Sequence, residues 1–199
     1  AENAVAEGDS AISQLRRQEA REAFAAAIGH YRRLIESPEV GLDLRAMSQY
    51  QVIRANYQMG DYAEVVAAVS YLRERFPGSA YEKDAIYDQG WAEYYTSRYR
   101  AAIATFAELL GVSADALKRD RALFQSAESH FSLGEYAQAR AVYGRLASLY
   151  DFDAMSDKEL KAMKTERLRG LVQETTRELV AKAQIRIGDA YGEEGFLDS

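Results

Sequence analysis

The 199-residue chain contains no cysteine and only two histidines, His30 and His130. The lack of cysteine excludes disulfides, thiolate metal ligands and a cysteine nucleophile. Two histidines cannot build a three-histidine metal site. The sequence also has no glycine-rich phosphate loop, no His-Glu-x-x-His motif and no Gly-x-Ser-x-Gly motif. These absences predict a protein that is not an enzyme and that uses neither a metal nor a cofactor.

Long apolar runs and an excess of basic residues are also missing. No run approaches the ~20 apolar residues of a membrane span, so no transmembrane segment is predicted. Lysine and arginine together number 25 against 31 acidic residues, and the net charge is −6. Because phosphate groups are neutralised by basic side chains, this balance disfavours nucleic acid and anionic membranes as partners.

Proline is scarce as well, with only Pro38 and Pro77, and no strand-like alternation of apolar residues persists. Alanine, glutamate, arginine and leucine dominate the composition. Apolar residues recur instead at helical spacing, which predicts an all-α fold. One such series is Ala63, Val66, Val69, Leu72 and Phe76.

Internal repetition is the strongest feature of the sequence. Three stretches, 59–63, 97–101 and 133–137, each lead through a short turn into a tyrosine. The tyrosines, Tyr62, Tyr99 and Tyr136, are 37 residues apart, and each is followed ten residues later by a leucine. After the second and third tyrosines, an alanine follows at three residues and an aromatic at seven. This template describes a helical hairpin, and one hairpin cannot bury its apolar face without stacking on another.

The template resembles the tetratricopeptide repeat (TPR), whose pattern has a Gly-acid-Tyr turn, an alanine, an aromatic and a final proline. Pro77 falls where that family expects its proline, whereas Val65 replaces the usual alanine. The resemblance implies a right-handed TPR-type α-solenoid of stacked helical hairpins. The 37-residue spacing and the sequence of residues 72–80 are similar to those of a bacterial envelope subgroup. That subgroup includes the TPR protein of the Tol-Pal system and the TPR lipoprotein of the outer-membrane β-barrel assembly machinery.

The repeat predicts a single solenoid over residues 1–199. Its parts are hairpins at about 1–39, 46–79, 83–116 and 120–151, a helical insertion at 152–174 and an incomplete last hairpin at 175–199. The insertion is predicted because the next copy comes 24 residues late, and Ser156 to Glu159 read as a capping box. We expect the native chain to continue beyond Ser199, or the last helix to act as a polar cap. The open last hairpin also leaves oligomerisation as an alternative.

In TPR arrays the first helix of each hairpin lines a concave groove. Carrying the groove positions over to this chain predicts an aromatic-lined partner-binding site. Its residues are Tyr50, Arg54, Tyr57, Tyr87, Trp91, Tyr94, Tyr95, Phe124, Glu128 and Phe131. The alternative for the aromatics spaced by seven is partial burial between neighbouring helices. For Trp91 and Tyr95 we favour the groove.

The resemblance implies a non-enzymatic scaffold that binds a protein or peptide segment in this groove. It further implies a role in assembling or organising a bacterial cell-envelope complex. The expected location is therefore periplasmic or associated with the outer membrane, with the cytoplasm left open. The alternative is a polysaccharide-binding solenoid in cell-wall or exopolysaccharide handling, because aromatic side chains also stack on sugar rings.

Overall fold

The computed structural model describes residues 2–112, 115–149 and 174–195, and their regular structure is entirely α-helical. The all-α prediction is therefore confirmed. The insertion predicted at 152–174 lies outside the described residues except for its last residue. The helices are α1 Glu2–Glu36, α2 Leu42–Met59, α3 Tyr62–Arg75, α4 Glu82–Tyr95, α5 Tyr99–Val112, α6 Ala116–Ser132, α7 Tyr136–Ser148 and α8 Glu174–Glu193.

The chain divides into two compact units, Ala1–Ala92 and Glu93–Ser199, where the sequence predicts one solenoid. In the first unit, α1 packs against α2, and α2 packs against α3. In the second unit, α6 packs against α5, α7 and α8, and α7 also packs against α8. The boundary between the units falls within α4.

The three hairpin turns share one backbone geometry. Gly60, Ser97 and Gly134 are 37 residues apart, and all three have positive φ angles of 76°, 56° and 72°. In each turn this residue donates its N–H to the carbonyl three residues back, and the following residue donates to the carbonyl five back. These bonds satisfy carbonyls at the end of the first helix and reverse the chain. The turn positions of the repeat are therefore determined by backbone conformation.

Residues 2–36 form one continuous helix, whereas the sequence predicts a hairpin over 1–39. The segment 9–28 contains neither glycine, which most readily adopts a left-handed turn, nor proline, which breaks helices. Arg21 then ties α1 to the turn of the next hairpin. Its guanidinium donates to the Met59 carbonyl at 2.6 Å and to Asp61 at 2.9 and 3.1 Å.

The core of each unit is built from the repeated template positions. Ala139, Tyr143 and Leu146 are fully buried in the second unit. Their equivalents 37 residues earlier are also fully buried: Ala102, Phe106 and Leu109. The first unit buries an aliphatic cluster that includes Ile28, Ile35, Val52, Ile53, Val65, Val69 and Leu72. Burial of such side chains stabilises each fold by about 1.5–3 kcal/mol apiece.

Candidate functional site

Three aromatic residues, Tyr87, Trp91 and Tyr95, follow one another at four-residue spacing along α4. This spacing places them along one face of the helix. The rings of Tyr87 and Trp91 meet edge to face, with centroids 6.2 Å apart. We call these three residues the α4 stripe. Tyr95 is 49% exposed, whereas Tyr87 and Trp91 are half-buried.

Tyr94 lies beside the stripe but is engaged within the second unit. Its ring meets Tyr95 at 5.9 Å and Tyr99 at 5.5 Å between centroids, both edge to face. Burial raises the pKa of the Tyr94 hydroxyl, and a hydrogen bond with Gln125 partly opposes that rise. Tyr94 therefore helps to hold the end of α4 against α5 and α6.

Tyr50 and Tyr57 pack against the core of the first unit. Tyr50 stacks on Tyr81, with centroids 5.5 Å apart and an interplanar angle of 20°. Tyr57 meets Tyr62 edge to face at 5.7 Å. These contacts match the partial burial that the sequence leaves as the alternative for the paired aromatics. They show how the rings are held, and they leave their exposed edges available to a partner.

Arg54 forms an ion pair within the first unit. Its Nη1 donates to Asp88 Oδ1 at 2.9 Å, and the Asp88 side chain is only 3% exposed. Burial raises the pKa of the Asp88 carboxyl, and the Arg54 charge opposes that rise. Burial also raises the pKa of Tyr50, and the negative charge of Asp88 raises it further. Arg54, one of the predicted site residues, therefore neutralises a buried carboxylate of its own unit.

Glu128 is the centre of a network that joins three helices of the second unit. Its carboxylate receives the Tyr143 hydroxyl of α7 and two N–H groups of Arg186 of α8, at 2.9 and 3.0 Å. The Arg186 guanidinium also lies over the Phe131 ring, 4.9 Å from its centroid. Burial raises the pKa of Tyr143, and the hydrogen bond to Glu128 raises it further.

The two predicted phenylalanines of α6 contact the tyrosines of α7. Phe124 meets Tyr143 at 5.6 Å, and Phe131 meets Tyr136 at 5.2 Å, both edge to face. Both phenylalanines pack against the core cluster of the second unit. Of the ten residues predicted for the site, Tyr95 alone is classed as exposed, and the other nine are half-buried.

Sequence reasoning missed the partners of these residues, chiefly Asp88, Tyr81 and Arg186. The sequence does contain a signal for Asp88. This residue lies on the first helix of the next hairpin, and its charge is opposite to that of Arg54. No comparable signal points to Arg186. Its approach to Glu128 depends on how α8 packs against α6.

The described part of the chain contains neither a cluster of metal-ligating side chains nor a helix suited to a membrane. Within 2–112, 115–149 and 174–195, no three histidine, cysteine or acidic side chains are grouped to hold a metal ion. No helix in that part of the chain is both long and apolar enough to cross a bilayer.

Residues 121–151 match the family model of the tetratricopeptide repeat. The matched segment contains most of α6 and all of α7. Neither a curated protein nor a solved structure shows a significant match to the chain. The match covers one repeat, and the helical hairpins agree with the predicted all-α fold of helical hairpins. Repeats of this family generally mediate protein–protein interaction, which supports a scaffold role.

Proposed function

We propose that this protein is a non-enzymatic scaffold that binds a segment of a partner protein through Tyr95, the exposed residue of the α4 stripe. The observation that carries the proposal is the exposure of Tyr95, at 49%, at the C-terminal end of α4. Tyrosine and tryptophan supply large contact areas at a small cost in side-chain entropy, and they dominate the energetics of many interfaces. A ring that is partly buried and partly exposed suits a preorganised anchor, because its position is already fixed before binding.

Most of the remaining predicted residues are held by contacts inside their own units. Tyr50, Tyr57, Phe124 and Phe131 are held by ring contacts inside their units, so their exposed edges are presented without loss of further freedom. Arg54 and Glu128 are already engaged in ion pairs. Charge on such residues changes the rate and specificity of association more than its affinity.

The setting that we propose is the bacterial cell envelope, in the periplasm or at the outer membrane. There the scaffold would help to assemble or organise an envelope complex. This proposal is supported by the 37-residue spacing and the sequence of residues 72–80, which are similar to those of envelope TPR proteins.

A site-specific photo-crosslinker at Tyr95 tests the proposal. The matched control is a crosslinker at Ala104, which is exposed on α5 of the same unit. We expect a discrete protein to be captured from Tyr95 only, and its purified form to bind the native chain saturably. That binding should weaken in the Tyr95→Ala variant.

Two outcomes contradict the proposal. Equal capture from Tyr95 and Ala104 would indicate contact without a specific site. Saturable binding of a polysaccharide, read by Trp91 fluorescence, without any captured protein would favour the sugar-binding alternative. Fractionation of the source cells tests the location, since recovery of the chain from the cytoplasm alone would contradict an envelope role.

A further inference from the structure

The first unit contains a cleft of about 250 Å³ between α1, α2 and α3. None of its lining residues belongs to the α4 stripe or to the rest of the predicted site. The lining residues are Arg32, Ile35, Glu36, Gln49, Val52, Asn56, Glu64, Ala67, Ala68 and Tyr71. This volume is at the small end for ligand sites, so it suits a single side chain better than a larger molecule.

The floor of the cleft carries a polar residue where the following hairpins are apolar. Gln49 is buried there, and the residues 37 and 74 positions further along the chain are the buried Ile86 and Leu123. Gln49 Nε2 donates to the Ala68 carbonyl at 2.7 Å, which leaves its Oε1 free to accept. Since burying a polar group is costly unless it is hydrogen-bonded, this departure from the repeat requires a reason.

Asn56 is the second departure. It is only 5% exposed, and its side-chain amide makes no hydrogen bond with a described residue. The equivalent residue of the next hairpin, Glu93, is buried and accepts from Thr105 Oγ1 at 2.7 Å. The position that corresponds to Thr105 in the first unit is Ala68, which has no side-chain donor. The Asn56 amide is therefore left facing the cleft with its hydrogen-bonding capacity unused.

The rim of the cleft carries unpaired charge. Arg32, Glu36 and Glu64 line it, and none of them forms an ion pair with any residue in the described part of the chain. Two carboxylates and one guanidinium leave the cleft with one excess negative charge. Tyr71, which is exposed, adds an aromatic face and a hydroxyl at the same rim.

We propose that this cleft binds one cationic side chain, the guanidinium of arginine or the ammonium of lysine, from a partner protein. Glu36 and Glu64 supply the opposite charge, and the amide oxygens of Gln49 and Asn56 accept its N–H groups. The Tyr71 face adds a cation–π contact. Such a site goes beyond the proposed stripe, because it gives a partner a second anchor on different helices.

An NMR titration of the native chain tests the chemistry directly. The probes are N-acetyl-L-arginine amide, its neutral counterpart N-acetyl-L-norleucine amide, the anionic N-acetyl-L-glutamate amide and free butylamine. The readout is the pair of side-chain NH₂ signals of Asn56 and Gln49. We expect saturable shifts with the arginine probe and none with the norleucine or glutamate probes.

Charge variants give the proposal its sharpest test. Glu64→Gln should weaken binding of the arginine probe by about tenfold, because it removes a charged hydrogen-bond acceptor. Arg32→Gln should tighten binding by a few-fold, roughly, because it removes a like charge. Glu74→Gln is the matched control, since Glu74 is an exposed carboxylate of α3 that does not line the cleft. All three side chains are exposed, so these substitutions should change the stability of the fold little.

Several results overturn the proposal. They are shifts with the glutamate probe, weaker arginine binding in Arg32→Gln, or equal losses in Glu64→Gln and Glu74→Gln. The absence of saturable shifts with both the arginine probe and butylamine, the analogue of a lysine side chain, would also overturn it. These outcomes are independent of crosslinking at Tyr95, so failure of one proposal does not imply failure of the other.

Discussion

At the scale of single residues, exposure separates Tyr95 from the other aromatics of the predicted site. Replacing Tyr95 with alanine should weaken binding of the captured partner by about 2 kcal/mol. The free energy of unfolding should change by about 1 kcal/mol or less, because the ring is half exposed and loses mainly its contact with Tyr94. Calorimetric titration and thermal melting measure the two quantities. Val112→Ala is the control, since Val112 is 47% exposed on α5. A large loss of stability in Tyr95→Ala would instead assign the ring to the core.

Ser97 offers a second test at this scale. It holds φ at 56°, a left-handed conformation that its two equivalents, Gly60 and Gly134, adopt at lower cost. Ser97→Gly should therefore stabilise the chain by about 1 kcal/mol, less the entropy that glycine adds to the unfolded state. Chemical denaturation measures the change. Ser132→Gly, at the exposed last residue of α6, should destabilise. Stabilisation by both substitutions would show that the turn is not the cause.

At the scale of helices, Glu128 connects α6 to both α7 and α8. Glu128→Gln should destabilise the second unit by about 1–3 kcal/mol, because it weakens charged hydrogen bonds to Arg186 and Tyr143. The Arg186 side chain is 38% exposed, so solvent screening keeps the loss below that of a fully buried pair.

A double-mutant cycle of Glu128→Gln with Arg186→Met isolates the coupling between the two side chains. Coupling near zero would mean that this ion pair does not help to hold α8, which would then rely on its other contacts with α6 and α7. Binding of the partner should be measured in parallel. An effect of Glu128→Gln on binding without any effect on stability would assign Glu128 to the interface.

The turn between α6 and α7 should make stability depend on pH. Glu135 accepts from His130 Nδ1 at 2.7 Å and pairs with Arg100 at 2.9 Å. The pKa of Glu135 is lowered, first by the hydrogen bond from His130. A carboxyl whose pKa is lower in the folded state contributes stability above its unfolded pKa, and this stability is lost as the pH falls through the folded pKa.

Glu135→Gln should therefore lower Tm at neutral pH, and its difference from the native chain should shrink as acidification takes the pH below the lowered pKa of Glu135. Glu74→Gln, at an exposed carboxylate of α3, is the control and should show a much smaller difference at neutral and at acidic pH. A Glu135→Gln difference that is independent of pH would show that the carboxylate charge does not matter.

At the scale of the whole molecule, the division into two compact units predicts that damage stays local. Leu72 and Leu146 are fully buried, one in each unit. Replacing either with alanine should cost about 2–5 kcal/mol. Hydrogen exchange should then accelerate mainly in the helices of the substituted unit, because repeat proteins are stabilised by nearest-neighbour contacts. Equal acceleration in both units would indicate a single cooperative fold.

Much of the fold could be predicted from the repeat. The tyrosines Tyr62, Tyr99 and Tyr136 each begin a helix, as their 37-residue spacing indicates. The first hairpin could not be predicted in the same way. The copy around Phe24 has the right side chains for a second helix, but no turn precedes it, so α1 continues without a break. Side-chain periodicity alone does not reveal where a helix is interrupted.

The candidate site was less predictable than the fold. The repeat register correctly locates Tyr87, Trp91 and Tyr95 on one helix, because that depends only on spacing. Exposure depends on what packs against each ring, and those neighbours come from other helices. The cleft shows the same limit, since Gln49 and Asn56 look like ordinary polar positions until α1 and α3 are placed around them.

The sequence by itself determined the helical class, the repeat length and the turns, because these follow from local spacing and from the few residues that tolerate a left-handed backbone. Tertiary structure alone decided which charges are satisfied within the chain and which remain unpaired. Glu128 is engaged by Arg186 from α8, whereas Glu36 and Glu64 form no ion pair with any described residue. Such pairing depends on distances between helices, and the composition of one helix does not determine those distances.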